Sequence, residues 1–77
     1  MVKSMRHMAV NERAVIKAVS ATRELGRRIR DMGLVPGTEV LIVGRAPLRD
    51  PVSLRLKGFT MTLRNNEADC ISVETED

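Results

Sequence analysis

GLVPGTEV, residues 33–40, joins an arginine-rich helical pattern to a run of apolar β-forming residues. Gly33 suits the left-handed backbone position just past a helix end, and Pro36 prevents the helix from resuming. Gly37 then lets the chain reverse into a strand. The stretch therefore predicts a tight helix-to-strand corner, in which Gly33 and Gly37 are structural turn residues.

A short helix is predicted to lead into this corner. Leu25, Ile29 and Met32 are spaced i, i+4 and i+7, so they form one buried stripe. Gly26 costs the helix about 1 kcal/mol relative to alanine, and we therefore expect another backbone to pack closely against it. Two residues are suited to cap the helix, Ser20 and Thr22. The basic residues off the stripe are Arg23, Arg27 and Arg30.

Short strands account for most of the remaining chain. β-branched residues predict the first strand, and a run that is apolar on both faces predicts the second. Strict alternation of apolar with polar residues predicts the next two, and a turn or helical turn at residues 65–69 precedes the last. The five strands are Arg13 to Val19, Thr38 to Val43, the runs through Val52, Leu54 and Leu56 and through Phe59, Met61 and Leu63, and a short one through Ile71 and Val73.

The order of these elements predicts a mainly β fold, a small barrel of about five strands with one short helix after the first. Lys57-Gly58 is a two-residue hairpin signal, with Gly58 as a turn residue, so the strands beside it should pair antiparallel. Closure of the sheet would remove unpaired strand edges. The 77 residues are expected to form a single domain. Residues 1–10 are expected to be a loose lead-in tied down by Met8 and Val10, and residues 74–77 a frayed acidic tail.

Composition excludes several classes of function. The chain has one Phe and neither Trp nor Tyr, so it lacks the aromatic faces that hold polyproline ligands or stack nucleic-acid bases. Its net charge of +3 combines a basic body with an acidic end that carries five acids and no base after Arg64, and basicity is therefore weak evidence for nucleic acid. We expect no nucleic-acid partner, no catalytic constellation and no enzymatic activity.

The single cysteine, Cys70, cannot form an internal disulfide, and no second Cys or His stands at metal-ligand spacing. We expect a reducing cytoplasm, no catalytic, cofactor or metal residues and no resident cofactor, with a divalent transition metal as the alternative. No apolar run approaches the roughly 20 residues that span a bilayer. The chain is expected to reach a membrane only through a partner.

The loop GRAPLRDP, residues 44–51, is the best candidate for a contact surface. Pro47 and Pro51 stiffen it, which lowers the entropy lost on docking, and Leu48 is an apolar side chain in a stretch expected to be exposed. Asp50 is expected to bond neighbouring amides as a turn residue. Leu34, at the helix exit, either joins Leu48 in one apolar patch or closes the core over Met32.

Three blocks of the sequence, "RIRDMGLVPGTEVLIV", "APLRDPVSLRLKG" and "TLRNNEADCISV", resemble the FeoA family (ferrous iron transport protein A), the small cytosolic proteins of bacterial ferrous iron uptake. The likeness runs from about Ala14 to Val73. It implies an SH3-like β-barrel that associates with FeoB, a membrane transporter whose cytosolic G domain hydrolyses GTP. The chain departs from the family pattern at Arg49 and Asn11, where glycine is common.

The resemblance implies a non-catalytic interaction module that binds and modulates the FeoB-type GTPase at the inner face of the membrane. A regulatory, metal-binding barrel like the C-terminal domain of iron- and manganese-dependent repressors is the alternative. Self-association through a strand edge is also open. The residues predicted to bind the partner are Arg27, Arg30, Leu34, Pro36, Pro47, Leu48 and Arg49, and those predicted to shape turns are Gly33, Gly37, Asp50, Pro51 and Gly58.

Overall fold

The computed structural model describes residues 1–48 and 50–75. Most of the described elements are strands, and a helix follows the strand that begins at Arg13. The predicted mainly β class is confirmed. Six strands form where five were predicted. The elements are β1 (Val2–Ser4), a 3-10 turn (Met5–His7), β2 (Arg13–Val19), α1 (Arg23–Asp31), β3 (Glu39–Arg45), β4 (Val52–Leu56), β5 (Phe59–Leu63), α2 (Asn65–Ala68) and β6 (Ile71–Glu74).

The strands form one antiparallel sheet in the order β1-β6-β2-β3-β4-β5. β1 and β5 stand at its two ends, and among the described residues each pairs with one neighbour. In place of the predicted closed barrel, pairing among the described strands therefore leaves the sheet open between β1 and β5. The core cluster includes Ile29 of α1 and Val40 and Ile42 of β3.

The corner and the hairpin have the predicted backbone. Gly33 and Gly37 both have φ of +94°, and the Thr38 hydroxyl donates to the Gly33 carbonyl at 3.2 Å. At the hairpin, Lys57 and Gly58 have φ of 48° and 85°, the pair of positive values that a two-residue I′ turn requires. Because a turn depends on only a few adjacent residues, the sequence was sufficient to predict the backbone at the corner and at the hairpin.

The N-terminal segment differs from the expected lead-in. β1 pairs with β6, and Met5 and Met8 are fully buried while Val10 is exposed. Lys3 and the backbone N–H of Ala9 both bond Glu12, at 2.9 and 2.8 Å, which fixes the segment onto the sheet. Residues 1–10 interleave Met5 and Met8 with polar and charged residues and show no sustained strand pattern, and the pairing partner β6 lies some 70 residues away in sequence.

Two further expectations are wrong. β3 is not covered on both faces, because Leu41 is half-buried and Val43 is exposed. Of the tail expected to fray from residue 74, Glu74 ends β6 and Thr75 is buried, and residues 76–77 lie outside the described residues. Within the described part of the chain, no helix is long and apolar enough to cross a membrane.

Candidate docking surface

The loop between β3 and β4 presents one apolar side chain at its tip. Its base is closed by the N–H of Ala46, which donates to the Pro51 carbonyl at 3.1 Å, and the Asp50–Pro51 peptide bond is cis. Leu48 is 91% exposed, the largest value among the exposed large apolar residues described. The predicted exposure of Leu48 is confirmed, and Pro47 is exposed beside it.

Asp50 connects the β3–β4 loop to α2 through a hydrogen bond. Its Oδ1 accepts the backbone N–H of Asn65, the first residue of α2, at 2.9 Å. A carboxylate at a helix N-terminus satisfies an otherwise unpaired donor and suits the positive end of the backbone dipoles. The sequence interpretation had Asp50 bonding neighbouring amides; the described bond instead joins the loop to an element fifteen residues away.

Arg45 holds the base of the loop and was missed by the sequence analysis. Its Nη2 donates to the carbonyls of Arg6 and Met8 at 2.7 and 2.9 Å, and its Nη1 donates to Asn65 Oδ1 at 3.3 Å. The guanidinium thus joins the 3-10 turn, β3 and α2 at one point. The only signal in the sequence was a charged residue at the end of an apolar strand, since buried charges require partners.

Around Leu48 the surface is shallow and basic. Arg6, His7 and Asn65 line a depression together with Leu48 and Arg45. We call this surface, with Pro47 added, the loop face. Its residues come from the N-terminal segment, the β3–β4 loop and α2, and the bonds of Arg45 and Asp50 fix these three segments relative to one another.

The helix exit lies elsewhere. A Cβ placed on Gly33 would stand 3.8 Å from both Leu56 Cδ1 and Lys57 Nζ, so the corner abuts the β4–β5 hairpin. The β3–β4 loop meets β4 at the other end, and five strand residues separate the two by roughly 13 Å at about 3.3 Å per residue. The corner and the loop therefore lie at opposite ends of β4.

The predicted partner-binding residues divide accordingly. Leu34 is fully buried, so its assignment to a docking surface is wrong and it closes the core instead. Pro36 is exposed at the corner, and Arg27 and Arg30 are exposed on α1. Arg49 lies outside the described residues. Pro47 and Leu48 remain as the predicted residues that belong to the loop face.

Glu67 is a buried carboxylate of α2 that contacts both its own helix start and α1. It is 6% exposed, its Oε1 accepts the Arg64 backbone N–H at 2.9 Å, and its other carboxylate oxygen makes an ion pair with Arg28 of α1. Glu67 therefore caps α2. Among residues 1–48 and 50–75, no three His, Cys, Asp or Glu side chains lie close enough together to hold a metal ion.

Comparison with known proteins places this arrangement in a family. The model of the FeoA domain matches residues 3–75. A fusion protein of Porphyromonas gingivalis, the Fe(2+) transport protein A/Fe(2+) transporter FeoB fusion, is 36% identical over 70 residues, which cover 91% of this chain and 8% of the fusion protein. The chain thus corresponds to a small part of that relative.

Solved structures agree. A FeoA-like protein from Clostridium acetobutylicum is 34% identical, with a TM-score of 0.91 over 99% of this chain and 88% of that one. FeoA of Stenotrophomonas maltophilia, an SH3 domain protein solved with zinc, is 26% identical, with a TM-score of 0.81 over 96% of this chain and 89% of that one. The SH3-like fold class is confirmed.

A manganese-dependent transcriptional repressor, solved with manganese, matches 96% of this chain and 36% of its own at a TM-score of 0.88. Its sequence identity is 16%, so this likeness shows the fold alone.

Proposed function

The chain belongs to the FeoA family, and on that premise we propose that it is a non-catalytic accessory domain of ferrous iron uptake that binds the cytosolic G domain of a FeoB-type transporter. It would act in the cytoplasm and reach the membrane through that partner. One observation carries the proposal: in Porphyromonas gingivalis a homologous segment is part of one polypeptide with the Fe(2+) transporter FeoB.

Covalent fusion makes the contact between two domains intramolecular, with effective concentrations in the millimolar range for short linkers. A copy of the domain that is not joined to the transporter has to make the same contact by its own surface affinity. The loop face suits this task, because Leu48 is exposed on a loop that Asp50 and Arg45 already hold in place. Docking then costs little ordering entropy.

The chemistry of the loop face defines the surface it would bind. Leu48 is an apolar anchor, and Arg6 and His7 line the depression around it. An apolar pocket rimmed by carboxylates on the G domain is complementary to this arrangement. Modulation of the nucleotide cycle follows if the domain binds the GTP and GDP states with different affinities, because a ligand shifts an equilibrium only by its differential affinity.

The test is calorimetric titration of this chain into the purified cytosolic G domain of FeoB from the same organism. We expect binding, and an affinity that differs between the GDP-bound and GTP-analogue-bound forms. Leu48→Asp should weaken binding about tenfold or more, since it removes the anchor. Val10→Asp, which places the same charge at another exposed turn residue, is the matched control and should leave the affinity unchanged.

Two results would count against the proposal in different ways. Absence of binding to the G domain in every nucleotide state would overturn the partner. Binding that Leu48→Asp and Val10→Asp weaken equally would keep the partner and overturn the loop face. Circular dichroism of each variant establishes that the fold is retained before either result is interpreted.

A further inference from the structure

The free edge of β5 lacks the devices by which natural proteins protect a strand edge. Phe59–Leu63 reads FTMTL, with no charge and no proline, and its pairing with β4 runs without a bulge. Exposed edges normally carry lysine, proline or a bulge that prevents pairing with another chain. The other end strand, β1, is only three residues long and includes Lys3. β5 is therefore the edge that is ready to pair.

The register fixes which backbone groups β5 offers. Leu56 and Phe59 flank the two-residue turn as Cα partners, so they form a hydrogen-bonded pair, and such pairs alternate along an antiparallel ladder. Phe59, Met61 and Leu63 accordingly direct their backbone groups toward β4. Thr60 and Thr62 direct their N–H and C=O groups outward, and no described residue outside the strand makes a backbone bond to them.

The inner face of β5 is incompletely covered. Leu63 is buried, Met61 is half-buried and Phe59, the one aromatic residue of the chain, is 47% exposed. Their partners on β4 are all buried. The apolar side of the strand thus becomes more exposed toward the hairpin, and an additional strand beside β5 would extend the sheet and place a residue next to Phe59.

We propose that two copies of this chain associate through β5, paired antiparallel about a two-fold axis at Met61. Thr60 of one copy then lies opposite Thr62 of the other as a hydrogen-bonded pair, and Met61 faces its own equivalent in the intervening non-hydrogen-bonded pair. The outward-directed groups of each strand meet, so the ladder of one sheet continues into the other.

The occupant is a second copy because the strand is complementary to itself. Pairing about Met61 places Phe59 opposite Leu63 on the inner face and threonine opposite threonine on the outer face, both favourable cross-strand pairs. The charged residues nearest the strand, Lys57 and Arg64, lie beyond the five paired residues, and Arg64 of one copy falls opposite Gly58 of the other. An isologous contact of this kind closes on itself and ends at a dimer.

A five-residue strand pair is a small interface, so the dimer should be weak and depend on concentration. Sedimentation equilibrium is expected to show association at protein concentrations of about 1 mM that disperses near 10 μM. Thr60→Pro removes an outward N–H from each copy while sparing the β4 ladder. Two lost donors should raise the dissociation constant by roughly tenfold to hundredfold.

Thr60→Lys is a second variant in case the proline disturbs folding, since an edge lysine also blocks pairing. Val43→Lys, on the exposed face of an interior strand, adds the same charge away from the edge and should leave association unchanged. A wild-type chain that stays monomeric at about 1 mM would overturn the proposal. So would association that the two lysine variants weaken equally.

Cross-linking tests the register itself. In a Cys70→Ser background, Met61→Cys places two thiols across the axis in a non-hydrogen-bonded pair, whose Cα separation of about 4.5 Å lies within the range that a disulfide spans. Mild oxidation should yield a covalent dimer. Thr60→Cys in the same background sets the two Cα atoms about 7–8 Å apart on the diagonal, beyond the usual Cα separation of a disulfide, and should cross-link poorly. Equal cross-linking by both variants would overturn the register.

Discussion

Arg28 on α1 and Glu67 on α2 make an ion pair that joins the two helices. The carboxylate is the buried partner, whereas the Arg28 side chain is 65% exposed. Glu67 also accepts the Arg64 N–H, so one side chain both caps α2 and ties α1 to it. Because the Asn65 N–H of α2 also donates to the Asp50 carboxylate, the pair connects α1 to the base of the loop face.

Arg28→Ala should destabilise the fold by about 1–2 kcal/mol, because it leaves a buried carboxylate without its cation. Arg27→Ala removes the same side chain from an exposed position one residue earlier and should change stability by less than about 0.5 kcal/mol. Urea unfolding measures both. Equal effects of the two substitutions would show that the Arg28–Glu67 pair contributes nothing specific.

Protonation of Glu12 should lower the free energy of unfolding in acid. The Ala9 N–H and then the Lys3 ammonium hold the pKa of its carboxyl below the ordinary value of 4.5. A folded-state pKa below the unfolded one gives stability that is present above the unfolded pKa and is lost as pH falls through the folded pKa. Glu12→Gln should therefore destabilise the fold at neutral pH by about 1 kcal/mol.

The measurement for Glu12 is the unfolding free energy of both proteins from neutral pH down to acid. The difference between wild type and Glu12→Gln should shrink as pH drops below 4.5. A difference that stays constant across that range would mean that the carboxylate charge has no part in holding the N-terminal segment.

Local chemistry explains why much of the fold was predictable. The hairpin needs only Lys57 and Gly58 at positive φ, and the alternation through Leu54 and Met61 assigns the inner face of two strands. The burial of Met5 and Met8 depends instead on pairing between the two ends of the chain. No short window of sequence contains that information.

The candidate site was predictable to the same extent. Leu48 lies in a proline-bearing loop, and its exposure follows from the loop itself. Leu34 has the same side chain, but its burial is decided by the sheet beneath the corner. The hydrogen bonds from Asn65 to Asp50 and from Arg45 to Arg6 join segments distant in sequence, so the contacts that hold the loop in place could not be predicted from the sequence.

Asp50→Ala should loosen the β3–β4 loop. It removes the acceptor of the Asn65 N–H, and loss of such a cap costs about 1 kcal/mol. Amide exchange followed by NMR should show the Asn65 N–H exchanging about fivefold faster or more. Asp50→Asn keeps an oxygen acceptor and is the conservative control. If both variants exchange at the wild-type rate, Asp50 does not brace the loop.

Alanine substitutions at Gly26, Gly37 and Gly44 distinguish the cost of steric overlap from the cost of backbone strain. A Cβ on Gly26 would overlap the Ala21 carbonyl oxygen, a backbone atom that cannot rotate away. Gly26→Ala should therefore cost about 1–3 kcal/mol despite the gain in helix propensity. Gly37→Ala meets open space but keeps a φ of +94°, which costs about 1–2 kcal/mol. Gly44→Ala has open space without that φ and should lie within about 0.5 kcal/mol of wild type. Thermal unfolding of the three variants gives the comparison, and a Gly26→Ala protein as stable as Gly44→Ala would mean that the start of α1 shifts freely to admit the methyl group.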